Sequence, residues 1–258
     1  MCGEMKNQFE TIDSRLTLNG VSKRFGDVWA VRDVKAVILP GKITAFIGPN
    51  GAGKTTQFHI ITGGLRPDVG SVSLNGTDIT AAAPWQIARL GVGKLFQDAR
   101  VFGSMSVLEN VAVALLTQKE ASPLWAFSHL CGFARIEREY RDRAMTSLGI
   151  VGLADEAERR AKDLSFGQQK LLSIARLLAR GSRFLLLDEP TAALSPQMVD
   201  AVVSLIRKLV QDEGVTVALI EHNMRVVAEL ASWIYFMHEG RIAFTGRADH
   251  VLGNQEVR

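Results

Sequence analysis

One run constrains this chain more than any other: Gly48-Pro49-Asn50-Gly51-Ala52-Gly53-Lys54-Thr55, which fits G-x-x-x-x-G-K-[ST]. It lies between residues 42–47, which read as a buried strand, and residues 54–65, which read as a helix. A strand, a glycine-rich turn and a helix N-terminus in that order form a cradle for phosphate. Glycines let successive backbone N–H groups point inward, and the helix dipole adds positive potential at its first turn. Lys54 can then reach β- and γ-phosphates, and Thr55, followed by Thr56, can offer a hydroxyl to Mg²⁺. With this composition a chance match has odds of about one in a hundred. The run from Gly48 through Thr56 is therefore read as a nucleotide-binding group.

A second element has to supply carboxylates. Phe184-Leu185-Leu186-Leu187-Asp188-Glu189 is an apolar strand that ends in two acids. In an open α/β sheet, ligands bind at the C-terminal ends of the strands. Asp188 is assigned to Mg²⁺, directly or through water, and Glu189 to polarising the attacking water.

The pattern around these motifs predicts an α/β fold with a mainly parallel sheet. Residues 16–21 and 28–39 read as antiparallel strands joined by a turn at Phe25-Gly26-Asp27, and 71–74 with Asn75-Gly76 as a hairpin. Residues 168–179 and 196–211 read as helices, flanking strands 184–188 and 215–220. Residues 233–244 read as a closing hairpin. From 106 to 164 helical spacing dominates, with Ile136, Tyr140, Ala144 and Leu148 at steps of four and charged residues between them. The expected organisation is a tail at 1–15, then one domain at 16–258. Its core would be 16–105 and 165–258, and its helical subdomain 106–164.

Composition excludes several classes. An apolar content of 47% and 30 Lys+Arg against 27 Asp+Glu rule out disorder as the dominant state. A net charge of +3 is too weak to indicate a nucleic-acid partner. Two cysteines, Cys2 and Cys131, make neither a disulfide framework nor a CxxC zinc site, so a reducing compartment is expected. The longest run without Asp, Glu, Lys or Arg is residues 121–134, shorter than the roughly 20 apolar residues of a membrane span. The first 15 residues carry no secretory pattern.

Between the two motifs stands Leu164-Ser165-Phe166-Gly167-Gln168-Gln169-Lys170. Here the chain resembles the ATP-binding-cassette (ABC) ATPases, whose signature usually reads LSGGQ. The order cradle, Gln97, signature, Asp188-Glu189, His222 matches that family, from about residue 16 to about 252. The resemblance implies a P-loop NTPase core and assigns roles residue by residue. Phe25 would stack on adenine. Gln97 would touch Mg²⁺ or water and relay to a membrane subunit. Ser165, Gly167 and Gln168 would close over the γ-phosphate held by a second chain, and His222 would bond the γ-phosphate. Catalysis would then rest on Glu189, His222, Lys54 and Gln97, and metal binding on Thr55, Gln97 and Asp188.

Two positions depart from the family pattern: Phe166 replaces the first signature glycine, and Ser195 stands where an Asp usually ends the loop after Glu189. The aromatic signature, Ser195-Pro196 and the stretch from Phe96-Gln97 through Arg100, Phe102, Met105, Val107 and Glu109-Asn110 are similar to one subgroup. These are the ATPases of branched-chain amino acid importers and their amide and urea relatives. The implied partners are a second ATPase chain in a head-to-tail dimer, transmembrane permease subunits and an extracytoplasmic solute-binding protein, with no nucleic acid. The implied location is the cytoplasmic face of the membrane, with Leu124, Trp125, Phe127 and Leu130 as candidate docking residues. Two alternatives are a soluble ABC ATPase acting on nucleic acid or ribosomes and a degenerate cassette that only binds ATP. Intact Lys54, Asp188, Glu189 and His222 argue against the second.

Overall fold

The computed structural model describes residues 15–97, 101–116 and 133–253. Cys2, Arg100, Leu124, Trp125, Phe127, Leu130 and Cys131 lie outside the described residues.

Short apolar runs with both faces covered become the central strands of a sheet. β3 (Ile43–Ile47), β7 (Phe184–Asp188) and β8 (Thr216–Ile220) are buried at every position. With β6 (Val92–Leu95), β9 (Trp233–His238) and β10 (Arg241–Arg247) they form a six-stranded sheet of order β10-β9-β3-β8-β7-β6. All neighbours are parallel except β10, which turns back on β9 through Glu239-Gly240, both at positive φ. A second, antiparallel sheet of order β2-β1-β4-β5 is built from β1 (Leu16–Phe25), β2 (Val28–Ile38), β4 (Val69–Leu74) and β5 (Thr77–Asp78).

One apolar core lies between the two sheets around α1 (Lys54–Ile61), where Phe58 packs edge-on against Phe46. A second joins the parallel sheet to the helices that follow it, and a smaller third gathers Ala45, Ile47, Val227, Ile234 and Val251. The short α2 (Pro84–Arg89) leads into β6. Next come α3 (Val107–Leu115), α4 (Phe133–Ile150), α5 (Phe166–Ala179) and α6 (Pro196–Gln211). α6 turns Val202, Leu205, Ile206 and Leu209 inward, while α4 buries Ala144 and Leu148 and leaves Glu137, Arg138, Glu139, Arg141 and Asp142 in water. α7 (Met224–Leu230) and α8 (Ala248–Leu252) complete the chain.

The segment that leaves the core after Ser106 returns beside its point of departure. Ser106 and Arg160 form an antiparallel bridge. Val107 and Leu108 donate to the carbonyls of Arg159 and Ala157, both at 2.9 Å. Ala161 and Lys162 donate back to Met105 and Gly103, at 3.0 and 3.2 Å.

Two predicted helix boundaries move. The helix expected over 54–65 stops at Ile61, because Thr62 leaves helical geometry and Gly63 follows at φ 71°. The helix expected from 168 begins at Phe166, because Ser165 accepts from the Gln168 amide and the Gln168 side chain reaches back to the Ser165 amide.

Candidate functional site

The strand order explains why residues distant in sequence meet. β3, β8, β7 and β6 are consecutive neighbours, and all four run the same way. Their C-terminal ends therefore deliver the 48–55 turn, Glu221-His222, Asp188-Glu189 and Gln97 to one edge of the sheet.

In the turn, Gly48, Gly51 and Gly53 sit at φ 141°, 80° and 97°, a region closed to most side chains. Gly48 lies against the backbone of Met237, and Gly53 against Ala30 of β2, which brings the β1–β2 hairpin alongside. Gly51 faces open space, while Pro49 and Asn50 are exposed and Ala52 is buried. The Lys54 ammonium donates to the carbonyls of Gly48 at 2.7 Å and Pro49 at 2.9 Å. Burial pulls its pKa down, against the opposing pull of Glu189 and Asp188. A buried cation bonded only to neutral carbonyls, at the N-terminus of α1, fits an anionic ligand. Thr55 is exposed at the start of α1, with Thr56 half-buried behind it.

The carboxylates differ sharply. Burial pushes the Asp188 carboxyl above its ordinary range, although Lys94 Nζ stands 3.9 Å from Oδ2 and pulls the other way. Lys94 itself is pushed down by burial. A divalent cation would replace this imperfect balance. One carboxylate and one hydroxyl fit Mg²⁺, which draws its other ligands from phosphate and water. Glu189 adopts φ 50° and is held on both oxygens. Gln97 Nε2 donates to Oε2 at 2.9 Å, and His222 Nε2 lies 3.2 Å from Oε1. Strained backbone of this kind persists where the surroundings over-determine it.

Ser165 and Gln168 cap each other at the N-terminus of α5, and Gly167 is packed against Met198, so a Cβ there would sit 2.5 Å from Met198 Cγ. Phe166 is exposed, with its ring 5.1 Å from Lys170 Nζ, so the departure from glycine places a ring at the surface rather than in the core. Ser195 caps α6, accepting from the Met198 amide at 3.4 Å. Asp caps as well as Ser, which is why the second departure leaves the helix start in place. Ser195→Ala should cost about 1 kcal/mol in thermal unfolding, and Ser195→Asp close to nothing. Phe25, at the end of β1, is 50% exposed with Lys23 Nζ 5.8 Å above its ring.

Sequence reasoning passed over two buried ions. Lys170 is 1% exposed and donates to the carbonyls of Glu189 at 3.0 Å, Pro190 at 3.4 Å and Ala192 at 2.9 Å. Its signal was its position, for it falls on the inward stripe of α5 with Gly167, Leu171 and Ile174. Glu221, 3% exposed, accepts from the Thr191 amide at 3.0 Å and from its hydroxyl. Its other oxygen accepts from the amides of His222 and Asn223. An acid closing an apolar strand, as Asp188 does, was the signal there.

Comparison with known proteins gives the family and the fold. Residues 31–192 match the family model described as ABC transporter. The branched-chain amino acid transport ATP-binding protein LivG of Escherichia coli (strain K12) is 36% identical over 242 residues, 94% of this chain and 95% of LivG. A nucleotide-free ATP-binding cassette from an ABC transporter superposes with a TM-score of 0.82 at 30% identity, covering 95% of this chain and 97% of that one. The dimeric cassette MJ0796, bound to ADP and Pi in a post-hydrolysis state, gives 0.75 at 25% identity, covering 90% and 98%.

Proposed function

Because the chain belongs to the ABC transporter family, as an ATP-binding subunit that hydrolyses ATP, we propose that it powers uptake of a small polar solute, with branched-chain amino acids foremost and amides or urea next. The observation that carries the ATPase role is the Glu189 carboxylate held between Gln97 and His222 at the end of β7. Identity to LivG along nearly the whole chain supports the solute class.

In this reading the 48–56 turn binds the phosphates of ATP, with Lys54 exchanging its loop carbonyls for phosphate oxygens. Phe25 offers its exposed ring to the base. Thr55, Asp188 and Gln97 would hold Mg²⁺, which when bound neutralises phosphate charge. Glu189 accepts the proton of the attacking water, Gln97 and His222 fix the direction in which its carboxylate points, and His222 also faces the γ-phosphate. Ser165, Gly167 and Gln168 serve a second chain's nucleotide in a head-to-tail dimer, as the dimeric cassette supports. Among the described residues no helix is long and apolar enough to cross a membrane. In this reading the chain works from the cytoplasmic face with separate permease subunits and an extracytoplasmic solute-binding protein, as its likeness to LivG supports. The core formed by 16–105 and 165–258 performs the chemistry, and the 106–164 insert meets the permease. Nucleic acid is not a partner in this scheme.

Isolation of the chain from membranes, with mass-spectrometric identification of what accompanies it, tests the proposal. Two permease subunits, a sister or second ATPase and ATP-dependent leucine uptake in proteoliposomes with the binding protein are expected. Co-purification with ribosomes or DNA instead would overturn it.

A further inference from the structure

We infer that Lys170 is a positioning residue that couples the signature turn to the hydrolytic carboxylate of the same chain, and through it one ATP site of the dimer to the other. The inference rests on the ATPase reading and the head-to-tail dimer above.

The geometry is specific. Lys170 lies one helical turn after the Ser165 cap, and its ammonium supplies three N–H donors to three carbonyls, those of Glu189, Pro190 and Ala192. A leucine or methionine would fill the same inward stripe without the desolvation that a buried ammonium costs. What the lysine adds is a fixed link between α5 and a loop strained at both ends, where Glu189 stands at φ 50° and Ala193 at φ 60°. The loop is gripped from the other side as well, through the Thr191 amide and hydroxyl on Glu221. Glu221 also binds the His222 amide. A continuous hydrogen-bonded chain therefore runs from α5 through Lys170, the 189–192 loop and Glu221 to His222.

Gly167 packs directly on the Met198 side chain, so the signature turn and α6 are in contact beside this link. A displacement of α5 when Ser165 and Gln168 meet the partner's nucleotide must draw on the Glu189 carbonyl. The direction of its side chain follows from that backbone, so signature engagement at one site sets the carboxylate at the other.

Lys170→Met and Lys170→Arg in the complete transporter test this. In K170M, kcat should fall about 10–100-fold, the size of effect that a 1 Å misplacement of a reacting group produces. Binding of a fluorescent ADP analogue should stay within about 3-fold, and the Hill coefficient for ATP should drop towards one. K170R, which keeps the donors, should recover most of both kcat and cooperativity. If K170M does not fold, Lys170→Gln, which keeps two N–H donors without the charge, is read by the same split. Unchanged kcat and cooperativity would overturn the proposal, and so would a parallel loss of nucleotide binding, thermal stability and kcat, because that is a purely structural role. Absence of turnover in the wild-type complex would overturn the ATPase reading itself.

Discussion

Replacing Glu189 by Gln should lower ATP turnover by about 10²–10⁴-fold, the usual contribution of a positioned general base, while leaving nucleotide binding intact. The side chains are nearly the same shape, and the Glu189 amide would still donate to the Ile220 carbonyl at 3.0 Å. The amide oxygen can accept from Gln97, and the new NH2 can donate to His222 Nε2 where that nitrogen carries no proton, so the loop keeps its strained form. Only the capacity to take a proton from water disappears. Dimers that form with ATP should then persist, because nothing reopens them. Steady-state phosphate release and size-exclusion chromatography in ATP measure the two effects. Normal turnover in this variant would remove Glu189 from the role of base.

Gly53→Ala should cost both the fold and the site. At φ 97° an alanine pays about 1–2 kcal/mol for left-handed backbone. Its Cβ would also lie 2.1 Å from the Ala30 carbonyl oxygen, a backbone atom of β2 that cannot swing aside. Overpacking of that kind adds about 1–3 kcal/mol. Because Gly53 is the residue from which α1 and Lys54 start, the shift that relieves the clash displaces the ammonium, and nucleotide affinity should fall at least about tenfold with it. Gly51→Ala is the control, for its φ is 80° but its Cβ meets nothing within 4 Å. Thermal unfolding should therefore rank wild type above G51A and G51A well above G53A. Equal stability of the two variants would show that the β2 contact is not what fixes Gly53.

The parts of the site that were legible in the sequence share one property, namely that their chemistry is local. Residues 48–55 announce themselves because the glycines, the lysine and the hydroxyl act within one turn, and Phe184–Asp188 because an apolar run ends in acids. The alternation of strands and helices likewise carried the parallel sheet, including the Glu239-Gly240 turn of the last hairpin. Lys170 and Glu221 were not legible because what each one does lies 19 to 30 residues away along the chain, on backbone groups that carry no side-chain signature. Helix ends shifted where a cap outranked periodicity, as Ser165 shows. The pairing of Lys94 with Asp188 was hidden for a third reason: β6 and β7 are adjacent only through a crossover, and no pattern along the chain reports which strands become neighbours.

The bridge between Ser106 and Arg160 has a consequence for how such a chain can change over time. A segment whose two ends are pinned side by side is, to the rest of the molecule, a closed loop. Lengthening it outside the residues that pack on the sheet costs about 0.6 kcal/mol for each doubling, so added sequence there leaves the strand ends in place. The residues at the ends of β3, β6, β7 and β8 can then keep their places while the stretch between Ser106 and Arg160 changes in length and sequence.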